Sequence, residues 1–367
     1  MRASSESAMG GGIAPAPPKA LHVVANRPRW GAHSMAAKAS ILIPTYNYAQ
    51  YLPEAIESVL AQDFTDYELI VSDDASTDNS ADIIRHYAAR DARIRTMFHP
   101  ANLGMVANWN WCLGQARGAY VKFLFGDDRL AAPHALRRFA TMLDAYPQAA
   151  LAVCARRVVD EHAQPLAVWD QFADEGLYSG RHVGRQCLLA THNFVGEPTA
   201  VMFRAALISS GFDARYRQIV DLELWCRLLL AGDLVHTQET LCDFRWHPAQ
   251  QTKINQRRNL GDSEYARLLH DYLARFVPAD YRPPASLYPL LFRSLYDFQR
   301  NASSSVEVQE IARTLMTLLG REHYVREWLR HRLARPPANL RRLWCKHVLG
   351  REVASRRPSS RWKLERT

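Results

Sequence analysis

The chain contains no apolar segment that approaches the roughly 18–20 residues needed for a membrane-spanning helix. Cysteine is also scarce, with six in 367 residues, and none of the six forms a C-x-x-C pair. The missing pair argues against a zinc knuckle. Scattered single cysteines are typical of reduced thiols in a cytosolic protein, so we expect a cytoplasmic location.

Several sequence motifs of nucleotide and hydrolase chemistry are missing as well. The chain has no G-x-x-x-x-G-K-[ST] loop, no G-x-G-x-x-G after a strand and no G-x-S-x-G elbow. The acidic run from Asp73 to Asp78 lacks the spacing of an EF-hand calcium loop. These absences argue against P-loop NTPases, dinucleotide-binding enzymes, α/β-hydrolases and EF-hand proteins.

What is present indicates one large globular domain with appendages at both ends. The hydrophobic fraction of 48% is enough to build a full core. Residues 1–38 are rich in Ala, Gly, Pro and Ser and lack an apolar signal core, so we expect a disordered N-terminal segment.

The net charge of +9 is concentrated at the C-terminus, because residues 331–367 hold eleven Lys or Arg and two acids. Within the basic tail, 335–367, the stretch 340–349 mixes apolar and basic residues at roughly helical spacing. Such a segment can lie on anionic lipid at the cytoplasmic face of a membrane. A solvated tail is the alternative, and nucleic-acid binding is a weaker third interpretation.

Periodicity predicts parallel βαβ units from residue 40 onward. Short apolar runs that end in polar turns alternate with segments whose apolar residues share one helical face, which is typical of an α/β fold. The predicted strands lie at 40–43, 67–71 and 94–98, and the predicted helices at 51–62 and 81–89. A second helical pattern runs from about 259 to 334, with one helix starting near Pro289.

The apolar run from Tyr120 ends in two adjacent carboxylates, Asp127 and Asp128. Open α/β sheets bind ligands beyond the carboxyl ends of their strands, where this pair is expected. Two adjacent like charges are costly unless a cation or hydrogen bonds offset them. Carboxylate oxygens suit Mg²⁺ or Mn²⁺, which commonly bridge to substrate phosphates.

Five motifs occur in a fixed order and carry a resemblance to a known family. With these motifs, residues 39–252 resemble a family 2 glycosyltransferase of the GT-A fold. The resemblance implies a mostly parallel central sheet flanked by helices, here followed by a helical extension at 253–334. The motifs are Ile-Pro44-Thr-Tyr-Asn47, Val-Ser-Asp73-Asp74-Ala-Ser-Thr-Asp78, Asn102-Leu-Gly104 with Asn110, Arg117-Gly-Ala-Tyr120 and Phe-Leu-Phe-Gly-Asp127-Asp128.

The resemblance implies inverting transfer of one sugar from a nucleoside diphosphate sugar, with UDP the expected carrier. It also implies where the nucleotide binds: an aromatic face can stack on the base, and carboxylates can accept hydrogen bonds from the base or the ribose. The residues implied in donor binding are Pro44, Thr45, Tyr46, Asn47, Asp73, Asp74, Asn110 and Asp127.

The metal motif departs from the family pattern, which is Asp-x-Asp. Asp127 takes the position of the metal-binding second Asp, Phe125 replaces the first, and Asp128 is a partial substitute. A late His, here His247, is expected to complete the Mg²⁺ or Mn²⁺ site or to contact the diphosphate. Arg245, two residues earlier, is a second candidate for the diphosphate.

Asp221 is the expected catalytic base. The family motif places its Asp three residues before the Leu of Leu224-Trp225, and a helix beginning there would present Asp221 at its N-terminus. The rival carboxylate Glu223 would lie about 200° around the helix, away from the same pocket. A helix-capping role is the alternative for Asp221. Glu197 and Arg204 lie in a segment that resembles the family's strand near the acceptor pocket.

The predicted function is therefore a metal-dependent, inverting glycosyltransferase with a glycan or lipid-linked acceptor from bacterial surface polysaccharide synthesis. Processive members carry Gln-x-x-Arg-Trp after the base, whereas this chain has Gln256-Arg-Arg-Asn, so one sugar per binding event is expected. Two alternatives stay open. A non-catalytic nucleotide-sugar-binding protein is favoured only by Phe125, and a sugar nucleotidyltransferase would need a Gly-rich basic loop after the first strand.

Overall fold

The computed structural model describes residues 37–248, 250–257, 260–283, 287–301, 305–333 and 364. The expected disordered segment up to residue 36 therefore lies outside the described residues. So does the expected basic tail, 335–367, apart from Leu364, which forms an isolated parallel bridge with Phe172. No helix within the described ranges is long and apolar enough to cross a bilayer.

The first half of the fold is the expected run of parallel βαβ units. Four strands pair in the order β3-β2-β1-β4, and every pair is parallel. The strands are β1 (Ala39–Thr45), β2 (Tyr67–Asp73), β3 (Ile94–Phe98) and β4 (Tyr120–Phe123), and the helices between them are α1 (Leu52–Leu60), α2 (Ser80–Ala88) and α3 (Met105–Gln115).

The first helix shows how the sequence specifies this half. Pro53 lies in the first turn of α1, where its missing N–H has no intrahelical partner to lose. Leu52, Ala55, Ile56 and Val59 form the buried face that packs onto the sheet. This face is the one that the 3.6-residue period predicted.

The second half extends the same sheet with strands of both directions. The order continues β4-β9-β6-β10-β5, with β7 on β6 and β8 on β10. The β6–β10 pair is parallel, whereas β9 runs antiparallel to both β4 and β6. The strands are β5 (Arg129–Leu130), β6 (Ala149–Val159), β7 (Pro165–Trp169), β8 (Gly176–Tyr178), β9 (Val201–Arg204) and β10 (Asp233–Arg245), and the helices are α4 (Ala135–Ala145), α5 (Gly180–Ala190) and α6 (Val220–Ala231).

Helices complete the described chain, and they share a hydrophobic core with one face of the sheet. One continuous buried cluster contains Val121 of the sheet, Trp225 of α6 and Leu268, Leu291 and Leu315 of the helical region. The expected boundary between residues 252 and 253 falls inside a helix. The helices are α7 (Gln251–Arg257), α8 (Leu260–Phe276), α9 (Tyr288–Asn301), α10 (Val306–Leu319) and α11 (Arg321–Leu333).

The architecture is the expected mixed α/β fold with a largely parallel central sheet and flanking helices. The carboxyl ends of β1, β2 and β4 lie at one edge of the sheet, because these strands are parallel. Since β9 runs the other way, its amino end faces that same edge. The functional cavity opens at this edge.

Candidate active site

A cavity of about 640 Å³ opens where these strand ends meet. It is bounded by segments from both halves of the sheet and by the first of the C-terminal helices. Residues that line it include Pro44, Thr45, Tyr46, Tyr48 and Asp74, the segment 102–109, Phe125, Asp127, Asp128 and Glu197, and on the helical side Arg217, Gln218, Asp221, Phe244, Gln250, Gln251, Thr252 and Asn255.

Asp127 and His247 come together at this edge, as the sequence predicted. The Asp127 Oδ2 atom lies 3.0 Å from His247 Nε2, and both side chains are buried. Tyr48 and Tyr51 pack against the imidazole ring. Tyr48 was not predicted, although it directly follows the Pro-Thr-Tyr-Asn turn. Burial and the charges of Asp127 and Asp128 raise the pKa of its phenol well above the usual value.

Asp128 is held more tightly than its neighbour. One of its carboxylate oxygens accepts a hydrogen bond from the Thr199 hydroxyl, and the other accepts one from the Arg245 backbone N–H at 2.8 Å. Burial and the adjacent Asp127 nevertheless raise its pKa well above the usual range. Behind it, the buried ammonium of Lys122 donates to the Thr199 carbonyl. Both carboxylate oxygens of Asp128 therefore accept hydrogen bonds from the protein.

Arg245 supports the Asp127–Asp128 loop from beneath. Its guanidinium donates to the Asp127 carbonyl oxygen and to the Glu54 carboxylate, each at 2.8 Å, and it stacks on the Tyr51 ring. The residue is 1% exposed. The expectation that Arg245 contacts a diphosphate is therefore corrected, because its guanidinium is enclosed by protein partners.

Phe125 lines the cavity where the family pattern has its first Asp. Its ring stacks on Trp109 at a centroid distance of 4.7 Å, and Phe212 packs edge-on against Trp109. An apolar aromatic wall thus replaces a carboxylate two residues before Asp127. Trp109 carried no signal in the sequence, because its contribution depends on the packing of α3 beside β4.

The carboxylates after β2 also have protein partners. Asp74 lines the cavity, but its two oxygens accept the backbone N–H groups of Leu103 and Gly104 at 2.7 and 2.9 Å. These bonds fix the loop that leads into α3. Asp73 is buried and accepts the Ser76 N–H, while its Oδ1 atom has no hydrogen-bond partner within the described ranges.

Two predicted donor-binding residues make structural contacts instead. Asn47 adopts a left-handed backbone conformation (φ 57°), and its side-chain oxygen accepts the Thr77 N–H. Asn110 binds both backbone groups of Phe212, at 2.7 and 2.9 Å. Neither residue is among the described residues that line the cavity. Thr45 and the exposed Tyr46 do line it, and the buried Thr45 Oγ1 has no hydrogen-bond partner among the described residues.

Asp221 opens into the same cavity as Asp127. It is the second residue of α6, as expected, and its oxygens accept hydrogen bonds from Asn193 Nδ2 and from the Leu222 N–H. Burial, with a further contribution from the charge of Glu197, raises the pKa of Asp221 to about 7. Asn193 was not predicted, because it lies in a loop that only the tertiary fold brings to Asp221.

The rival carboxylate faces elsewhere, as the helical geometry predicted. Glu223 is buried, pairs with Arg227 at 2.9 Å and accepts a hydrogen bond from the Tyr272 hydroxyl. It does not belong to the cavity lining within the described ranges. Asp221 is thus the carboxylate of α6 that a ligand can reach.

The two acceptor candidates of the predicted strand lie at opposite ends of it. Glu197, just before β9, lines the cavity and forms an ion pair with the buried Arg156. Arg204, at the carboxyl end of β9, pairs in register with Tyr120 at the far edge of the sheet. Its guanidinium donates to the backbone carbonyls of Leu143, Tyr146 and Ala149. The expectation that Arg204 reaches the acceptor is therefore corrected.

The charges around the cavity are strongly unequal. Asp74, Asp127, Asp128, Glu197 and Asp221 line it, whereas among its described lining residues Arg217 is the one Lys or Arg. A phosphorylated ligand would meet several carboxylates and one guanidinium. A bound cation would offset this imbalance.

Asp127 and His247 are the residues that fit a divalent ion. Across the described ranges, no cluster of three or more His, Cys, Asp or Glu side chains could hold a metal. Mg²⁺ is commonly bound through one or two carboxylates together with substrate phosphates, and carboxylates also suit Mn²⁺, while neutral imidazole is the commonest metal ligand in proteins. The pair therefore fits an ion whose remaining ligands come from a phosphorylated substrate and water.

Part of the chain matches a known protein family. The model for "Glycosyl transferase family 2" matches residues 40–212, so Asp221 and His247 lie beyond the matched segment. EpsE of Bacillus subtilis (strain 168), provisionally named a glycosyltransferase, is 30% identical over 53% of this chain and 68% of its own length. The uncharacterized protein MT1568 of Mycobacterium tuberculosis is 31% identical over 61% of this chain and 73% of its own length.

Coverage of other relatives is shorter. Over the first four curated relatives, the matched segment spans between 27% and 73% of the relative's length. Among solved structures, S. aureus TarS 1–349 superposes with a TM-score of 0.54 over 77% of this chain and 82% of that one, at 19% identity. The same fragment in complex with UDP gives 0.52 at 20% identity. At such identities the likeness shows the GT-A-type fold alone.

Proposed function

The chain belongs to glycosyl transferase family 2, and we propose that it transfers one sugar from a nucleoside diphosphate sugar to a hydroxyl acceptor with inversion. The observation that carries this proposal is that Asp221, with its raised pKa, lines the same cavity as the Asp127 of the Asp127–His247 pair. One cavity thus holds a candidate base and a candidate site for the leaving diphosphate.

Asp221 acts as the general base in this proposal. Its carboxylate takes the proton of the acceptor hydroxyl while that oxygen forms a bond to the anomeric carbon and the bond to the diphosphate breaks. Asn193 holds one carboxylate oxygen in place. A single displacement from the face opposite the leaving group inverts the configuration, and no covalent enzyme intermediate is required.

Asp127 and His247 would hold a divalent cation against the diphosphate. When bound, such an ion stabilises the negative charge that develops on the leaving group. The acidic lining of the cavity supports a requirement for it, since a nucleoside diphosphate would otherwise lie among several carboxylates. Asp128 and Arg245 act indirectly, by fixing the loop that carries Asp127.

The donor and the acceptor are proposed on different grounds. UDP is the first carrier to test, because the TarS fragment that shares this fold was solved with UDP. The acceptor proposed is a saccharide hydroxyl on a glycan or a lipid-linked intermediate, which would bind in the part of the cavity lined by Asp221 and Glu197. One sugar is added per binding event.

Ligand-dependent thermal stability tests the donor site. Specific binding stabilises the native state by an amount that grows with the logarithm of ligand concentration over Kd. We expect one series of nucleoside diphosphates to raise the Tm in the presence of Mn²⁺, with a smaller rise when EDTA is present. A panel of UDP, GDP, ADP and dTDP that produces no rise under either condition would contradict the proposal.

Asp221→Asn tests the chemical step. We expect transfer to fall by about 10²–10⁴-fold, the range of general-base catalysis, with the nucleotide-dependent Tm rise retained. Asp82→Asn, which alters an exposed carboxylate of α2, is the matched control. Because the base must be ionised, kcat/KM of the unaltered enzyme should fall about tenfold per pH unit below about pH 7 and level off above it. An Asp221→Asn variant with unchanged kcat would exclude Asp221 as the base.

A further inference from the structure

Arg217 differs in its surroundings from the other arginines near the cavity. It is exposed, lines the cavity, and its guanidinium forms no hydrogen bond or ion pair with the described residues. Arg129 and Arg157 both pair with Asp243, Arg156 pairs with Glu197, and Arg245 pairs with Glu54. These four guanidinium groups are therefore already committed to protein carboxylates.

The backbone of Arg217 is fixed by hydrogen bonds, whereas its guanidinium has no partner among the described residues. The buried Glu264 of α8 accepts the Arg217 N–H at 2.9 Å and the following two N–H groups, of Gln218 and Ile219, at 2.8 and 3.1 Å. The buried Asn255 of α7 donates to the Arg217 carbonyl oxygen at 3.0 Å. Fixing the backbone in this way reduces the main-chain entropy that would otherwise be lost when the side chain binds a ligand.

The location of Arg217 gives its charge a specific use. It lies four residues before Asp221 and is the one Lys or Arg among the described lining residues, which include five carboxylates. The guanidinium presents several N–H donors in a planar fork that matches phosphate oxygens, and it stays charged at any physiological pH. A free guanidinium in an acidic cavity favours a phosphorylated ligand over a neutral one.

We propose that Arg217 is the protein's own phosphate-binding residue, and that it contacts the diphosphate of the donor. This rests on the proposed function. Arg217 would then share the charge of the leaving group with a divalent cation held by Asp127 and His247. Lys253, the nearby alternative cation, instead lies 4.3 Å over the Trp246 ring and is not among the described lining residues.

The experiment measures Kd by calorimetry with Mn²⁺ present, for the nucleoside diphosphate that binds the unaltered protein best and for the corresponding monophosphate. We expect Arg217→Gln to weaken diphosphate binding at least tenfold and monophosphate binding less, because the monophosphate carries less charge. Arg217→Lys should recover part of the loss, since it keeps the charge but not the fork. Arg85→Gln on α2, which removes an exposed guanidinium far along the chain, is the control and should leave Kd unchanged.

The outcomes separate this inference from the proposed function. An Arg217→Gln protein that binds the diphosphate as tightly as the unaltered protein overturns the assignment of Arg217 and leaves the proposed function standing. An unaltered protein that binds no nucleoside diphosphate overturns both. The Tm of ligand-free Arg217→Gln should match that of the unaltered protein, because no protein contact of the guanidinium is lost, and a fall of several degrees would also count against the free side chain inferred here.

Discussion

Two pairs of adjacent aspartates lie at the carboxyl ends of β2 and β4, the strands on either side of β1, and their side chains have different partners. In the pair after β2, Asp74 faces the cavity, but both of its oxygens accept backbone N–H groups of the loop before α3. In the pair after β4, the cavity-facing Asp127 has an imidazole partner in His247. A backbone N–H is a fixed donor of the fold, whereas an imidazole can exchange its hydrogen bond for a metal ion.

The same sequence, Asp-Asp at a strand end, thus fixes a loop in one place, and in the other we propose that it binds a metal ion. What distinguishes them is the residue that arrives from elsewhere in the chain. His247 comes from the end of β10, and Leu103 and Gly104 come from the loop after β3. The partners, and not the carboxylates, decide the role of each pair.

Among substitutions in these two pairs, the largest effect should come from Asp127→Asn. We expect transfer to fall by about 10²–10³-fold, the range seen when one electrostatic contact to the transition state is removed. The Mn²⁺-dependent part of the nucleotide-induced Tm rise should also disappear, because the amide is a poorer ligand for a hard cation. Activity assays and Tm measurements with and without Mn²⁺ check this. A variant that keeps the Mn²⁺-dependent rise would remove the distinction between the two pairs.

Asp74→Asn should have a smaller effect, which should appear as a loss of stability. An amide can accept one of the two N–H groups of Leu103 and Gly104 but not both in the same way. Hydrogen bonds to charged groups contribute about 1.5–3 kcal/mol, so we expect a loss within that range in the free energy of unfolding. Urea unfolding measures it, with Asp82→Asn as the control. Normal stability combined with lost nucleotide binding would instead show that Asp74 contacts the donor.

The smallest effect should come from Asp128→Asn, and it should depend on pH. Burial raises the folded-state pKa of Asp128, so its ionisation costs stability as pH rises from the unfolded value of about 3.9. An amide does not titrate, so the free energy of unfolding of the variant should rise relative to that of the unaltered protein as the pH increases above about 4. At pH 4 we expect a difference within about 1 kcal/mol. A stability difference that stays constant with pH would argue against the raised pKa.

The strands of the parallel half and its helices α1 and α2 could be predicted from the sequence, because each depends on local signals, whereas α3 was not predicted. Apolar periodicity, Pro53 in the first turn of α1 and polar residues at strand ends all act over a few residues. The structure places the three residues expected to do the chemistry, Asp127, Asp221 and His247, at one edge of the sheet. Their catalytic and metal-binding roles stay predictions.

The incorrect predictions concern residues whose surroundings depend on strand direction or on partners that are distant in the sequence. Arg204 was expected beside the acceptor, but β9 runs antiparallel, so four residues are enough to carry the side chain to the opposite edge. Arg245 and Asn110 were assigned to ligand because no local pattern reveals that Glu54 and Phe212 bind them. Arg217 was not predicted, because the proposal for it depends on a guanidinium without a partner among the described residues, and no sequence pattern reveals this.

The three hydrogen bonds that Glu264 accepts have a consequence for the order in which the chain is made. The sheet, the Asp127 loop and Asp221 itself all precede Glu264 along the chain. A nascent chain can therefore pair all ten strands of the sheet while the segment at 217–219 still lacks the partner that fixes it. The cavity wall at 217–219 therefore gains the carboxylate that fixes its backbone only after α8 has left the ribosome.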